Sequence, residues 1–180
     1  KTLSQEGYEA DDVLASLVEQ FGGEPDLEVV IITGDLDTLQ LVKGEKVIVS
    51  TMKKGIGETV IYDEKEVGAR FGLSPDQLPD YKGLKGDPSD NIPGVPGIGD
   101  KTAIKLLQEF HDLENLYEAI EKDKSAIELK TYTKLIENKD QAFFSKYLAV
   151  VRRDLELGVT LPDLISSFDE EKLRSFFEGY

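Results

Sequence analysis

The chain has no cysteine, and one histidine and one methionine among its 180 residues. Without cysteine, disulfides and thiolate metal sites are excluded, which fits a reducing compartment. The single histidine, His111, excludes histidine-rich metal centres and leaves a Ser-His-Asp triad without support. No window reaches the ~18 consecutive apolar residues that a membrane-spanning helix needs. The opening residues, KTLSQEGYEADD, have the character of neither a secretory signal nor a transit peptide, and they lack an initiator methionine. The expectation is a cytoplasmic chain, away from any membrane, read as a piece of something longer. Positive charge is also scarce: 21 Lys and Arg face 36 Asp and Glu, a net charge of −15. Nucleic-acid binders are usually basic, so any such contact must be local.

What is present is a soluble composition, 39% hydrophobic, with clear periodicities. Val13, Leu14, Leu17, Val18 and Phe21 recur at helical spacing over residues 9–21, and Gly22-Gly23 ends that helix. LEVVIIT, residues 27–33, is a β-branched run that predicts a strand buried on both faces, as in a parallel sheet. A short helix over 36–42 follows. KVIVS and ETVIY flank KKGIGE and predict a hairpin. From residue 63 the pattern is helical, with segments expected at 63–71, 75–84, 99–110, 112–122, 126–137, 139–151 and 169–178. A lone parallel strand is not a sheet, so the partners of the first strand are expected to lie N-terminal to this chain. The loosest joint is expected where prolines and glycines are dense, at 72–97.

Three acidic patches carry the chemistry. Glu9, Asp11 and Asp12 open the first helix, with Glu9 and Asp12 on one face; acids there also favour the helix dipole. Asp35 and Asp37 follow the C-terminal end of the strand, where open α/β sheets place ligands; a turn with an N-cap aspartate is the alternative. Asp87 and Asp90 sit in GDPSDN, whose residue types also suit an ordinary turn. A fourth patch, Glu64-Lys65-Glu66, reads as a solvated helix face. Seven carboxylates from three segments, with no His or Cys, form a hard oxygen donor set suited to Mg²⁺ or Mn²⁺. Two such ions ~4 Å apart can clamp both oxygens of a phosphodiester displacement. Setting these seven aside leaves 29 acids against 21 bases, still −8.

The stretch GVPGIGDKTA, residues 94–103, is punctuated by glycines and opens a helix. Such a start can bind phosphate through its N–H groups, with Lys101 and Lys105 adding charge. It resembles the helix–hairpin–helix clamp, which grips duplex DNA by its backbone without reading sequence. The P-loop pattern GxxxxGK[ST] is absent. His111 ends this helix and reads as a cap or a solvent-facing residue. Lys53 and Lys54 read as a solvated turn. Tyr132, Phe143, Phe144 and Tyr147 read as core. Lys82 and Lys85 flank the acidic turn, in a DNA-facing or charge-balancing role or simply solvated.

GYEADD (7–12), TGDLDTLQLV (33–42) and KGLKGDPSDNIPGVPGIGDKTA (82–103) occur in that order. With these strings the chain resembles the 5′-nuclease family of flap endonucleases and 5′–3′ exonucleases, most nearly the 5′–3′ exonuclease domain of bacterial DNA polymerase I. The resemblance spans essentially the whole chain. It implies an α/β fold: part of a PIN-like nuclease domain over 1–72, then a mostly helical helix–three-turn–helix module of SAM-like type over 73–180. It implies two divalent metal sites, with Glu9, Asp11, Asp12 and Asp35 as ligands or their immediate support. Asp37, Asp87 and Asp90 then match the second-metal group. Gly97, Gly99 and Lys101 match duplex-backbone contacts, and Thr102 and Lys105 complete the expected DNA-binding set. A potassium ion bridging loop carbonyls and a DNA phosphate is implied as well. The implied activity is metal-dependent 5′ nuclease action on flaps, nicked or gapped duplexes and RNA primer ends, in bacterial replication and repair, with a polymerase domain in the same polypeptide. The family also has an N-terminal portion with the first strand, two further acidic ligands and a basic helical arch, so this chain is expected to be its C-terminal part. The alternatives are a duplex-binding fragment without catalysis and a PIN-type ribonuclease, which gives GIGDKTA no task.

Overall fold

The computed structural model describes residues 1–52, 59–166 and 169–178. Helix α1 (Ala10–Phe21) turns Val13, Ala15 and Ser16 inward and stops at Gly22, whose N–H bonds the Val18 carbonyl at 2.7 Å. Strand β1 (Val29–Ile32) follows, then a 3-10 helix (Leu36–Leu41), then β2 (Val47–Met52) and β3 (Thr59–Tyr62). The hairpin of β2 and β3 is antiparallel as expected, while the KKGIGE turn and its two lysines lie outside the described residues.

Two expectations for β1 are corrected. Its partner lies within the chain: β1 pairs in parallel with β2, Val29 opposite Val47 through Ile32 opposite Ser50, giving the order β1-β2-β3. The stretch between them, with its short 3-10 helix, is long enough for a parallel crossover. Nor is β1 buried on both faces. Ile31 is 3% exposed, but Val30 and Ile32 are 51% and 81% exposed. Ile31 shares one core with Ala15, Leu39, Val47 and Val49, so among the described residues only one face of the sheet is covered. Such a half-covered strand should alternate apolar and polar residues, and this one does not.

Helix α2 (Glu64–Phe71) is capped by Asp63, which accepts the Glu66 N–H at 2.8 Å. The expected helix at 75–84 is a 3-10 turn (Pro75–Gln77) running into α3 (Leu78–Lys85). Then come α4 (Asp100–Phe110), α5 (Leu113–Lys122), α6 (Leu129–Glu137), α7 (Lys139–Ala149) and α8 (Glu170–Glu178). Helix α6 starts three residues later than expected because Asp123 nucleates a separate 3-10 turn (Lys124–Ala126), accepting the Ser125 N–H at 2.8 Å. Leu84, Val95, Leu107, Leu113, Leu116, Tyr117 and Leu135 form the second core. Asp80 is buried beneath α5, accepting the Leu113 N–H at 2.9 Å and pairing with Lys146 at 2.7 Å.

Residues 72–97, expected as a loose joint, are anchored by buried positions at Gly83, Leu84, Gly86, Ile92, Gly94 and Val95, while 88–91 are exposed. Gly86 and Gly94 lie backbone against backbone at φ +79° and +60°, and a Cβ on Gly94 would sit 2.2 Å from the Gly86 nitrogen. Helix α7 ends at Ala149, two residues early, because the chain turns extended and returns across the first unit. Buried Gln40 holds that return: its Nε2 donates to the Ala149 carbonyl at 3.0 Å and its Oε1 accepts the Val151 N–H at 3.1 Å. Further on, Leu155 N–H donates to Ser16 Oγ at 3.1 Å, and Gln20 Nε2 to the Val159 carbonyl at 2.9 Å.

Candidate metal centre and nucleic-acid interface

The three acidic patches meet where α1, the 3-10 helix after β1, and the turn after α3 come together. In the first patch, Glu9 is the N-cap of α1 and Asp12 closes a capping box, accepting the Glu9 N–H at 3.1 Å. The other oxygen of Asp12 accepts the Arg152 N–H of the returning chain at 2.8 Å. Both Asp12 oxygens therefore work on backbone amides, so Asp12 supports the site more than it offers a free ligand. Asp11 points into the gathering of charge. Burial raises its carboxyl to about 6, helped by Asp35, Asp37, Glu9 and Asp12. The four neighbouring acids act on it in the same sense as burial, each disfavouring its charged form.

Asp35 caps the 3-10 helix, accepting the Asp37 N–H at 3.0 Å. This bond aims Asp37 toward the third patch. In GDPSDN, Asp87 Oδ1 accepts the Ser89 N–H at 3.0 Å, an Asx turn closed further by the Asp87 N–H bond to the Ile92 carbonyl at 2.8 Å. Asp37, Asp87 and Asp90 each bring a carboxylate oxygen within 4.8 Å of the others, and among the described residues they form the only such acidic trio. Asp37 also lines the cavity that holds Glu9, Asp11 and Asp12, so it joins the two halves of the acidic surface.

The trio encloses Lys82. Its Nζ lies 2.5 Å from Asp37, 2.8 Å from Asp87 and 3.2 Å from Asp90. Of the readings open for Lys82, the structure selects charge balance. Burial works against the Lys82 charge, but Asp37 and Asp87 outweigh it and raise the ammonium above its ordinary range. Asp37 is raised, burial prevailing over Lys82. Asp87 goes the other way: burial is opposed by Lys82 and Ser89, which bring it to about 2. Three carboxylates that already surround a cation fit a divalent ion in charge and in donor type.

Lys85 answers a different partner, Asp100, at 2.9 Å, and the Tyr81 hydroxyl also bonds Asp100. Tyr81 and Lys85 stand on α3, and Asp100 opens α4, so this brace ties the acidic turn to the glycine loop. Inside the loop, Gly94 N–H donates to buried Ser145 Oγ at 3.0 Å, and Val95 N–H to the Leu84 carbonyl at 2.8 Å. Gly97 adopts φ +78°, and its carbonyl accepts Lys134 Nζ at 2.6 Å. Gly99 is the N-cap of α4 with open space where a Cβ would stand, and its side chain gives this helix start no cap bond. Lys101 and Lys105 are exposed, without an ion pair among the described residues, and Thr102 lines the cleft between them and α6.

Several readings change or gain detail. Phe144 and Tyr147, expected in the core, are 55% and 70% exposed, while Tyr132 and Phe143 do pack against the second core. Tyr147 shares the cavity of Glu9, Asp11 and Asp37 with Tyr8 and Arg152. The position of Arg152 depends on the return of the chain after α7, and no local pattern announces it. His111 is the exposed C-cap of α4 at φ +75°, as its helix-ending position suggested. Glu64, Lys65 and Glu66 are exposed on α2.

Comparison with known proteins extends this geometry. The family model described as the 5′–3′ exonuclease N-terminal resolvase-like domain matches residues 1–72, and the one described as the 5′–3′ exonuclease C-terminal SAM fold matches 73–171. DNA polymerase I of Caldicellulosiruptor bescii is 48% identical over 171 residues, covering 93% of this chain and 19% of that relative. This chain therefore spans only a small part of such relatives. A structure of the T5 5′-exonuclease with divalent metal ions (zinc) bound superposes with a TM-score of 0.68 at 25% identity, covering 81% of this chain and 51% of that one. A bacteriophage T5 flap endonuclease, as a pseudo-enzyme-product complex with DNA and metal ions, gives 0.67 at 25% identity over 81% and 50%. With both of its units matched in sequence order, and with the acidic and glycine motifs lying on the matched fold, the chain belongs to the 5′–3′ exonuclease family.

Proposed function

We propose that the chain is the metal-binding and duplex-gripping portion of a structure-specific 5′ nuclease acting on DNA at a junction between single strand and duplex. The observation that carries this reading is the shared backbone of cluster and clamp. Gly86 and Gly94 lock the Asp87–Asp90 turn to the glycine loop, and the Tyr81–Lys85–Asp100 brace fixes the start of α4. A duplex held at the Gly97–Lys105 end would keep a constant distance from the carboxylates.

The residues fit divalent ions by chemistry and charge. Asp37, Asp87 and Asp90 would hold one, and Asp11 with Glu9 and Asp35 would serve another, Asp12 fixing the helix that carries them. Mg²⁺ or Mn²⁺ would supply an activated water and neutralise charge at the phosphodiester. The protein's part is to orient. The amides at the start of α4, with Lys101, Lys105 and Thr102, would take backbone phosphates without reading bases. A potassium ion at the loop belongs to this proposal, and it would share or displace the hold of Lys134 on the Gly97 carbonyl. Residues 1–72 and 73–180 are the two units of the reading. The setting is bacterial and cytoplasmic, with 5′ flaps, nicked or gapped duplexes and RNA primer ends as substrates and a polymerase domain in the same polypeptide. No helix among the described residues is long and apolar enough to cross a membrane.

The test is a labelled 5′-flap duplex with Mg²⁺, beside a binding titration in Ca²⁺. Cleavage near the junction, lost in Asp87→Ala and Asp90→Ala with binding kept, supports the proposal. Binding weakened by Lys101→Ala with no cleavage under any condition supports a duplex-binding module instead.

A further inference from the structure

The ammonium of Lys82 stands where a divalent ion bound by the trio would stand. It lies 2.5 Å from Asp37, 2.8 Å from Asp87 and 3.2 Å from Asp90, one carboxylate oxygen of each. Mg²⁺ needs oxygens at ~2.1 Å in near-octahedral order. One ammonium and one dication cannot both hold the same three carboxylates at those distances. The position is set by secondary structure: Lys82 is in the last turn of α3, and its backbone carbonyl accepts the N–H of Gly86 at 2.8 Å as the chain turns into Asp87. The lysine and two of the acids are thus parts of one rigid helix end, with Asp37 brought in by its Asp35 cap.

We propose that Lys82 is a built-in counter-ion of this trio and competes with the divalent cation for it. Metal loading there is an exchange of one ammonium for one dication. This inference rests on the reading of the trio as a metal position. Without metal, Lys82 keeps three mutually repelling carboxylates together and the turn in shape. With metal, it must leave. Its side chain borders a cavity lined also by Leu36, Phe71, Tyr81 and Lys85, which gives it room to withdraw. Two consequences follow. The site is assembled before any ion arrives, so loading needs no rearrangement of the turn. The trio's affinity for a divalent ion is also lower than its three carboxylates alone would give, because part of its electrostatic attraction is already satisfied.

The test is calorimetric titration with Mn²⁺ and thermal melting with and without Mn²⁺, applied to the chain and to Lys82→Met, Lys82→Gln, Lys82→Arg and Asp87→Asn. The two neutral variants guard against one of them folding poorly, and the arginine variant keeps the charge. The expected result is Asp87-dependent Mn²⁺ binding that tightens about tenfold or more in Lys82→Met and Lys82→Gln but not in Lys82→Arg. The neutral variants should melt lower than the parent without metal and gain more from Mn²⁺. If Mn²⁺ binding depends on Asp87 but the neutral variants bind no tighter, the competition is refuted and the metal position stands. If no variant shows Asp87-dependent binding, the metal position falls and the competition with it.

Discussion

Replacing Gly94 with alanine tests the link between acidic turn and clamp most sharply. Gly94 has φ +60°, and a Cβ there would lie 2.2 Å from the Gly86 nitrogen, 2.5 Å from the Lys85 carbonyl carbon and 2.6 Å from the Gly86 Cα. All three are backbone atoms, so no side-chain rotation relieves the clash. The left-handed conformation costs alanine about 1–2 kcal/mol. Forcing two backbones apart in a packed region costs about 1–3 kcal/mol more. Separation also weakens the buried bonds of Gly94 to Ser145 at 3.0 Å and to Gln141 at 2.5 Å, each worth about 0.5–1.5 kcal/mol. The expected loss is ~3–8 kcal/mol, a large part of the ~5–15 kcal/mol that holds an ordinary domain folded. Urea unfolding followed by circular dichroism measures it. Gly99→Ala is the internal control, with φ −107° and nothing within 4 Å of its Cβ; it should stay within about 1 kcal/mol of the parent. A Gly94→Ala loss under about 1 kcal/mol would refute the rigid backbone lock.

Other consequences follow from the same geometry. Asp80→Ala should cost about 2–4 kcal/mol by urea unfolding, because it strips the Leu113 N–H and one partner of Lys146 from a site where Asp80 is 3% exposed. Lys101→Ala and Lys105→Ala should each lower the slope of log affinity against log salt for duplex DNA by about 0.9, measured in Ca²⁺; an unchanged slope would remove that lysine from the interface. The Asp11 carboxyl, raised from 3.8 to about 6, penalises its ionised form in the fold. Its contribution to metal-free stability should therefore fall as pH rises from about 4 through about 6, read as the difference between the parent and Asp11→Asn. Divalent binding needs the ionised form and should weaken as pH drops through that same range. Mn²⁺ titration at pH 5.5 and 7.5 checks this, and Asp11→Asn should flatten the difference.

The helices were legible because their apolar spacing and caps are local. The segment at 112–122 shows why: Asp112 caps it, and Leu113, Leu116, Tyr117 and Ile120 repeat on one buried face. The sheet was less so. VVII in β1 is equally apolar at every position, so periodicity could not reveal that Val30 and Ile32 face outward, nor that β2 is its parallel partner. The seven acids were legible as three acidic patches. Their division of labour was not, because the Arg152 N–H bond to Asp12 and the approach of Asp37 to Lys82 are made between segments far apart in sequence. Phe144 and Tyr147 were misread for the same reason: α7 is packed by neighbours that leave these two exposed, and no spacing rule states which face α3 takes.

The central claim is that these carboxylates hold the ions that cut DNA gripped by the glycine loop. It is tested most directly on a 5′-flap duplex labelled at its 5′ end, in Mg²⁺ and in Ca²⁺. The account predicts release of the flap near the junction in Mg²⁺, loss of that cleavage in Asp87→Ala with Ca²⁺ binding retained, and weakened binding in Lys101→Ala. An intact flap in Mg²⁺, or cleavage by Asp87→Ala at the parent rate, would contradict it.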